Sequence, residues 1–151
     1  MDEDAGIYAR ESTYLDRYVQ LGIAQRRVIS VSFPSTPDDE GDHDLLDRIE
    51  NYLQGTEDDF RDVTVALTVP TDHRAVLEQL RELRYGTQAT VEELTGMTAG
   101  LDADDEDDRA LVREALADNP APLLIPDHRI RDGPSAAPAR VEQKLRSLEG
   151  L

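Results

Sequence analysis

Apolar residues recur at two different spacings along this chain, and the change between them falls near residue 70. The first part reads mainly as strand. Ile7 and Tyr8 come first, then Tyr14–Ile23, then Val28–Phe33 with Ile29, Val31 and Phe33 on one face. Gly22 and the group Gln25-Arg26-Arg27 suit a turn between strands. Pro34–Asp44 is a loop by composition, and His43, lying among acids, reads as a solvated loop histidine. Asp44–Gln54 carries Leu45, Leu46, Ile49, Tyr52 and Leu53 at helical spacing, with Gly55 just past its end. Asp62–Val69 then alternates, Val63, Val65, Leu67 and Val69 sharing a face, as a half-buried strand does. No residue before Pro70 stands out for chemistry.

Pro70-Thr71-Asp72 marks a boundary between an N-terminal α/β scaffold domain, residues 1–69, and a mostly helical domain, residues 70–151. Asp72–Leu83 is amphipathic through Val76, Leu77, Leu80 and Leu83. Thr90-Val91-Glu92-Glu93 is a capping box opening a short helix that Gly96 to Gly100 breaks. After the acidic run Asp102–Asp108, a third helix spans about Arg109–Ala117. The succession predicts a helix-turn-helix-like, winged-helix-like unit whose last helix would face nucleic acid. Ala139–Leu148, with Val141, Leu145 and Leu148 inward, is the final helix. The expected fold class is α+β, a small sheet-plus-helix domain followed by a helical one.

Between the last two helices lies Asn119–Ile130, N-P-A-P-L-L-I-P-D-H-R-I. Prolines at 120, 122 and 126 forbid a helix and permit an edge-like or turn-ending extended segment, with Ala121–Ile125 as its strand core. Such a segment delivers Asp127, His128 and Arg129 side by side on a rigid element.

Charge changes the picture. There are 33 acidic residues against 16 basic ones, a net charge of −17, and Lys144 is the only lysine. This composition suits a cytosol of molar salt, where the Debye length falls to ~3 Å, and points to a halophilic archaeal source. Periodic apolar segments, with 38% hydrophobic residues, argue against a disordered acidic chain. The surface as a whole repels DNA, which carries about one negative charge per ~1.7 Å, so a DNA contact requires a local basic patch. No apolar run approaches a membrane span and the start is acidic, so a cytoplasmic protein is expected. With no cysteine, disulfides and thiolate metal sites are excluded.

The run Asn119–Arg129, together with the ending Leu148-Glu149-Gly150, resembles the C-terminal half of the alkylguanine-DNA alkyltransferase (methylated-DNA–protein-cysteine methyltransferase) family. That family's signature reads P-C-H-R after an N-P-x-P-hydrophobic run. The resemblance covers about Val63 to Leu151, and it sets the family's alkyl-accepting cysteine on Asp127. Thiolate methyl transfer is therefore excluded, and the chain looks like a cysteine-less, alkyltransferase-like variant. The resemblance implies that a damaged guanine is flipped from the duplex into a pocket. It makes Asn119 the hinge between recognition helix and active-site strand, and His128 the base that draws a proton from the acceptor through water. Glu149 is then the carboxylate that orients His128. Arg109 is the candidate intercalating arginine, Arg113 adds to the DNA-facing charge, and Arg129 joins this DNA-binding set although the family's equivalent is mainly structural. The tyrosine that turns the target phosphate falls on Val91, Glu114 would face phosphate or core, and the pocket-lining tyrosine and glycines have no match in Arg131–Pro138. Neither a cofactor nor a metal is implied.

Asp127, His128 and Glu149 then form a pseudo-active site, and three readings follow. The first is a DNA-repair-related protein that binds double-stranded DNA at alkylated guanine without transferring the alkyl group. The second is a domain that binds a protein partner on a degenerate alkyltransferase fold. The third is an enzyme in which Asp127 activates water against a damaged base; a carboxylate that itself took the alkyl group as an ester is available at neutral pH but is a poor nucleophile toward alkyl carbon.

Overall fold

The structure is a computed structural model in which residues 5–39 and 41–151 are described. Three antiparallel strands, β1 (Gly6–Ser12), β2 (Arg17–Ala24) and β3 (Arg27–Ser32), form a meander in that order. Gln25 and Arg26 turn β2 into β3 with φ of 53° and 62°, the paired left-handed positions of a tight hairpin. Alternation sets Ile29, Val31 and Phe33 on one face, but Val28, Val31 and Phe33 are buried and Ile29 is 44% exposed. The cause is a bulge: Gly22 pairs with Ser30 and Ile23 with Val28, so Ile29 is one residue too many on β3. One extra residue reverses the alternation from that point on.

Helix α1 (Asp44–Leu53) buries Leu45, Leu46, Ile49, Tyr52 and Leu53. His43 is not a solvated loop residue. It caps α1, its Nδ1 accepting the Leu45 amide at 3.1 Å, while its ring packs on Tyr8. The expected strand over Asp62–Val69 is reduced to one parallel bridge, Val28 with Val65. Arg81 takes the carbonyls of Phe60 (2.6 Å) and Val63 (3.0 Å), so that backbone is held by a side chain instead of a ladder.

Three helices follow and pack on one another: α2 (Thr71–Leu80), α3 (Val91–Met97) and α4 (Glu106–Ala117). The capping box at Thr90 and Glu93 forms as the sequence indicates. Helix α4 starts earlier than its apolar pattern. Asp105 caps it by accepting the amides of Asp107 and Asp108, and the acidic run supplies its first turn, where negative charge meets the positive end of the helix dipole. Helix α5 spans Ala139–Leu148, the limits its sequence pattern predicts. The apolar core is continuous, joining Leu21, Tyr52 and Phe60 to Leu77, Leu116, Leu124 and Leu145.

The stretch Ala121–Ile125 is buried throughout but is not a strand. It closes on itself, the Ile125 amide donating to Ala121 O at 2.8 Å, with Leu123 at a φ of 83°. Its approach is hydrogen-bonded to the sheet, Val31 N donating to Pro120 O at 2.9 Å. Pro120, Pro122 and Pro126 lack the amide hydrogens that a ladder needs, so the segment turns.

Candidate functional site

Asp127, His128 and Arg129 form a single 3-10 turn after Pro126, and each is 2% exposed or less. Within such a tight turn, successive side chains leave in different directions. Each of the three therefore meets its own set of partners.

The Asp127 carboxylate faces neutral donors. Ser135 Oγ donates to Oδ1 at 2.5 Å, while the Ala136 amide and Asn119 Nδ2 donate to Oδ2 at 2.9 and 3.1 Å. Burial pushes this carboxyl up to about 6, although the three hydrogen bonds pull the other way. Asn119 also donates to Ile125 O and accepts from the Ala121 amide, each at 3.0 Å. It ties the end of α4 to the turn. The loop 131–138, which covers Asp127, is pressed on the core at Gly133, where a Cβ would sit 2.8 Å from Leu116 Cδ1 and 3.0 Å from Ile130 Cγ2.

His128 faces the chain's C-terminal end. Its Nε2 lies 2.7 Å from Glu149 Oε2. Glu149 is the hub: it accepts from Arg129 Nε (2.8 Å) and Nη2 (3.1 Å), from the Gly86 amide (3.0 Å), and from the Tyr52 hydroxyl in a very short bond. Burial raises the Glu149 carboxyl, and the bonds from His128 and Arg129 more than reverse this, to about 2. Burial also lowers the His128 pKa against the pull of Glu149. A neutral imidazole beside an ionised carboxylate carries its proton on Nε2, which leaves Nδ1 as an acceptor. Nδ1 is buried and meets no hydrogen-bond partner among the described residues. Arg129 is further fixed by Asp59 Oδ1 (3.1 Å) and Leu83 O (2.7 Å), and Arg146 Nη1 donates to His128 O at 2.7 Å.

The structure thus joins His128 to Glu149, but Asp127 and His128 share a turn without a side-chain hydrogen bond between them. The donors to Asp127 are Ser135, Ala136 and Asn119. Asn119 and Arg129 were grouped with the DNA contacts by resemblance; at 4% and 2% exposure, with their polar atoms engaged inside the fold, they brace the turn. Arg129 pairs with Glu149 and Asp59, a structural role. Arg109 is half-buried and donates to Ala103 O at 2.6 Å, whereas Arg113 is exposed on α4. Glu114 is exposed as well, facing neither core nor an arginine but lying 3.9 Å from His73. Val91 is 1% exposed in the core.

Sequence reasoning missed Tyr52, Asp59 and Ser135. Tyr52 sits on the apolar face of α1 like any core aromatic; its one signal is that a buried hydroxyl needs a partner. Two surface cavities, of about 370 and 440 Å³, lie away from this cluster, one beside Tyr14 and Ile49, the other beside Arg27 and Arg48. Among the described residues no three His, Asp or Glu side chains are grouped to hold a metal ion.

The architecture is shared with O6-methylguanine-DNA methyltransferases. The enzyme of Pyrococcus kodakaraensis superposes with a TM-score of 0.75 at 18% identity, covering 97% of this chain and 100% of that one. Mycobacterium tuberculosis OGT in complex with DNA gives 0.74 at 17% identity, covering 95% and 91%. No protein-family model matches. In sequence, the chain is 32% identical over 129 residues to the methylated-DNA–protein-cysteine methyltransferase of Methanopyrus kandleri, covering 81% of this chain and 93% of that protein. It is 30% identical over 110 residues to the Metallosphaera sedula protein of the same name, covering 70% and 66%. The fold is that of a DNA alkyltransferase, and the chain belongs to the methylated-DNA–protein-cysteine methyltransferase family.

Proposed function

We propose that this protein binds DNA at alkylated guanine, receives the flipped base beside Asp127, and transfers no alkyl group. One observation carries the reading: the His128–Glu149 pair, braced by Arg129 and Tyr52, is kept in full in a chain without cysteine. A charged cluster this deep costs desolvation, and nothing in the packing of a bare scaffold requires it. The outward face of α4 offers one exposed arginine, Arg113, with the exposed Glu114 beside it, so it adds little to this reading. The relatives are named for methyl transfer to cysteine from methylated DNA, and one solved neighbour holds DNA. A base can reach Asp127 only if loop 131–138 withdraws Ser135 and Ala136. Hydrolysis by Asp127 has less support, because both its oxygens are engaged and neither meets His128.

A second reading, a basic protein partner, is favoured by one feature. Asp102, Asp104, Asp105, Glu106 and Asp107 are exposed at the start of α4, beside the face that would meet DNA. The deciding measurement is a binding titration at molar potassium chloride with duplexes that differ in a single alkylated guanine. Preferential binding with the lesion chemically intact supports the lesion-binding module. Negligible binding to both duplexes removes it in favour of the protein partner. Release of the base or alkyl group, stopped by Asp127→Asn, makes the protein an enzyme.

A further inference from the structure

The Asp127 carboxylate is held as the acceptor of a donor pair. Ser135 Oγ–H reaches one oxygen and the Ala136 amide the other, both from the same loop, while Asn119, from the end of α4, donates to the same oxygen as Ala136. A base entering at this point displaces the two loop donors and leaves Asn119 in place. It must bring hydrogens of its own, because an ionised carboxylate only accepts, and a buried one left short of donors is strongly disfavoured.

Guanine alkylated at O6 brings only its exocyclic N2–H and lacks the N1 hydrogen beside it. Its ether oxygen and its unprotonated N1 are both acceptors, and they would face the carboxylate lone pairs. Guanine alkylated at N7 keeps N1–H and the exocyclic N2–H, two adjacent donors in one plane that match two carboxylate oxygens. It also carries a positive charge. Around Asp127 that charge is missing: Arg129 is committed to Glu149, Asp59 and Leu83 O, Arg146 to His128 O and Gln88, and Glu142 adds a further negative charge. Burial already pushes the Asp127 carboxyl up to about 6, and a cation alongside would favour its ionised form. Resting on the lesion-binding reading above, we infer that Asp127 reverses the family's selectivity: with loop 131–138 withdrawn, the site takes a flipped guanine that keeps its N1 and N2 hydrogens and is cationic, an N7-alkylated guanine, and rejects guanine alkylated at O6.

The test is a fluorescence-anisotropy titration of the full chain with three duplexes identical except at one base: N7-methylguanine, O6-methylguanine or guanine. The N7-methylguanine duplex is expected to bind at least about tenfold more tightly than the O6-methylguanine duplex. Asp127→Asn should bring that ratio close to one, because the amide replaces one acceptor by a donor. Ser135→Ala, which removes a competing donor, should tighten binding of the N7-methylguanine duplex. Should Asp127→Asn fail to fold, Ser135→Ala decides: unchanged or weaker binding overturns the inference. Equal affinity for the two modified duplexes, a preference for O6-methylguanine, or guanine bound as tightly as its N7-methyl form also overturns it, and leaves the lesion-binding reading standing. Absence of binding to all three duplexes overturns that reading itself.

Discussion

Asp127 and Glu149 are both buried carboxyls, yet their surroundings push them in opposite directions. Glu149 has Arg129 and two further side-chain donors and is held at about 2; Asp127 has only neutral donors and stands at about 6. For Asp127, the folded value lies above the unfolded one of ~3.9, so the stability it contributes is full at low pH and is lost as pH rises through about 6. For Glu149 the sign is reversed: its contribution is present above the unfolded value of ~4.3 and lost as pH falls toward about 2. Asp127→Asn should therefore gain stability relative to the wild type as pH rises from 4 to 7, by up to about 3 kcal/mol in urea unfolding. A difference that stays constant with pH would show that this carboxyl titrates normally. Glu149→Gln leaves the Arg129 guanidinium inside the protein with Asp59 as its one remaining carboxylate. The expected loss is about 3–5 kcal/mol, read as a drop in urea midpoint, and a loss below ~1 kcal/mol would show that water reaches Arg129. The resemblance supplied His128 as a partner of Glu149, but not the rest of that cluster and not the donors to Asp127. The D-H-R run marked the place, but Tyr52 and Asp59, which complete the Glu149 cluster, lie in a part of the sequence with no motif.

At the scale of elements, legibility followed the strength of the local signal. Helix α5 has its apolar spacing and the Thr90 box its reciprocal cap, and both form where the sequence indicates. The start of α4 did not show, because apolar spacing begins only at Arg109 while the first turn is made of acids that are favourable there for electrostatic reasons. Two expected strands do not form, one for a non-local and one for a local reason. The distant Arg81 takes the carbonyls of Phe60 and Val63, and at Ala121–Ile125 the prolines that exclude a helix also exclude a ladder. Loop 131–138 looked merely irregular, yet Gly133 is wedged among Leu116, Ile130 and Val91 and sets where Ser135 stands. Gly133→Ala forces a methyl to within 3.0 Å of three side chains, and it should cost about 1–3 kcal/mol by overpacking. It should also release Ser135 from Asp127, so amide exchange in residues 133–137 should quicken more than in α5; uniform quickening would show that the loop is not held separately.

For the molecule as a whole, the net charge of −17 sets a balance that ionic strength can tip. Raising potassium chloride from ~0.1 M to ~1 M shortens the Debye length from ~10 to ~3 Å. This weakens self-repulsion across the acidic surface and also the exposed ion pairs, such as Arg10 with Asp42, Asp47 and Glu50 and Arg61 with Glu82. Exposed pairs contribute only ~0–1 kcal/mol each, so relief of repulsion should win and the melting temperature should rise with salt. A flat or falling melting temperature would mean that the acids are already compensated locally. DNA binding should answer salt differently from that of a basic reader. Each phosphate neutralised contributes about −0.9 to the slope of log K against log salt, and Arg113 is the exposed arginine on α4, Arg109 being turned to Ala103 O. A slope no steeper than about −3 is therefore expected, with affinity resting on the flipped base more than on the backbone. A slope of about −6 or steeper would require a basic surface that this face of α4 does not present, and would move the DNA-binding site to another part of the protein.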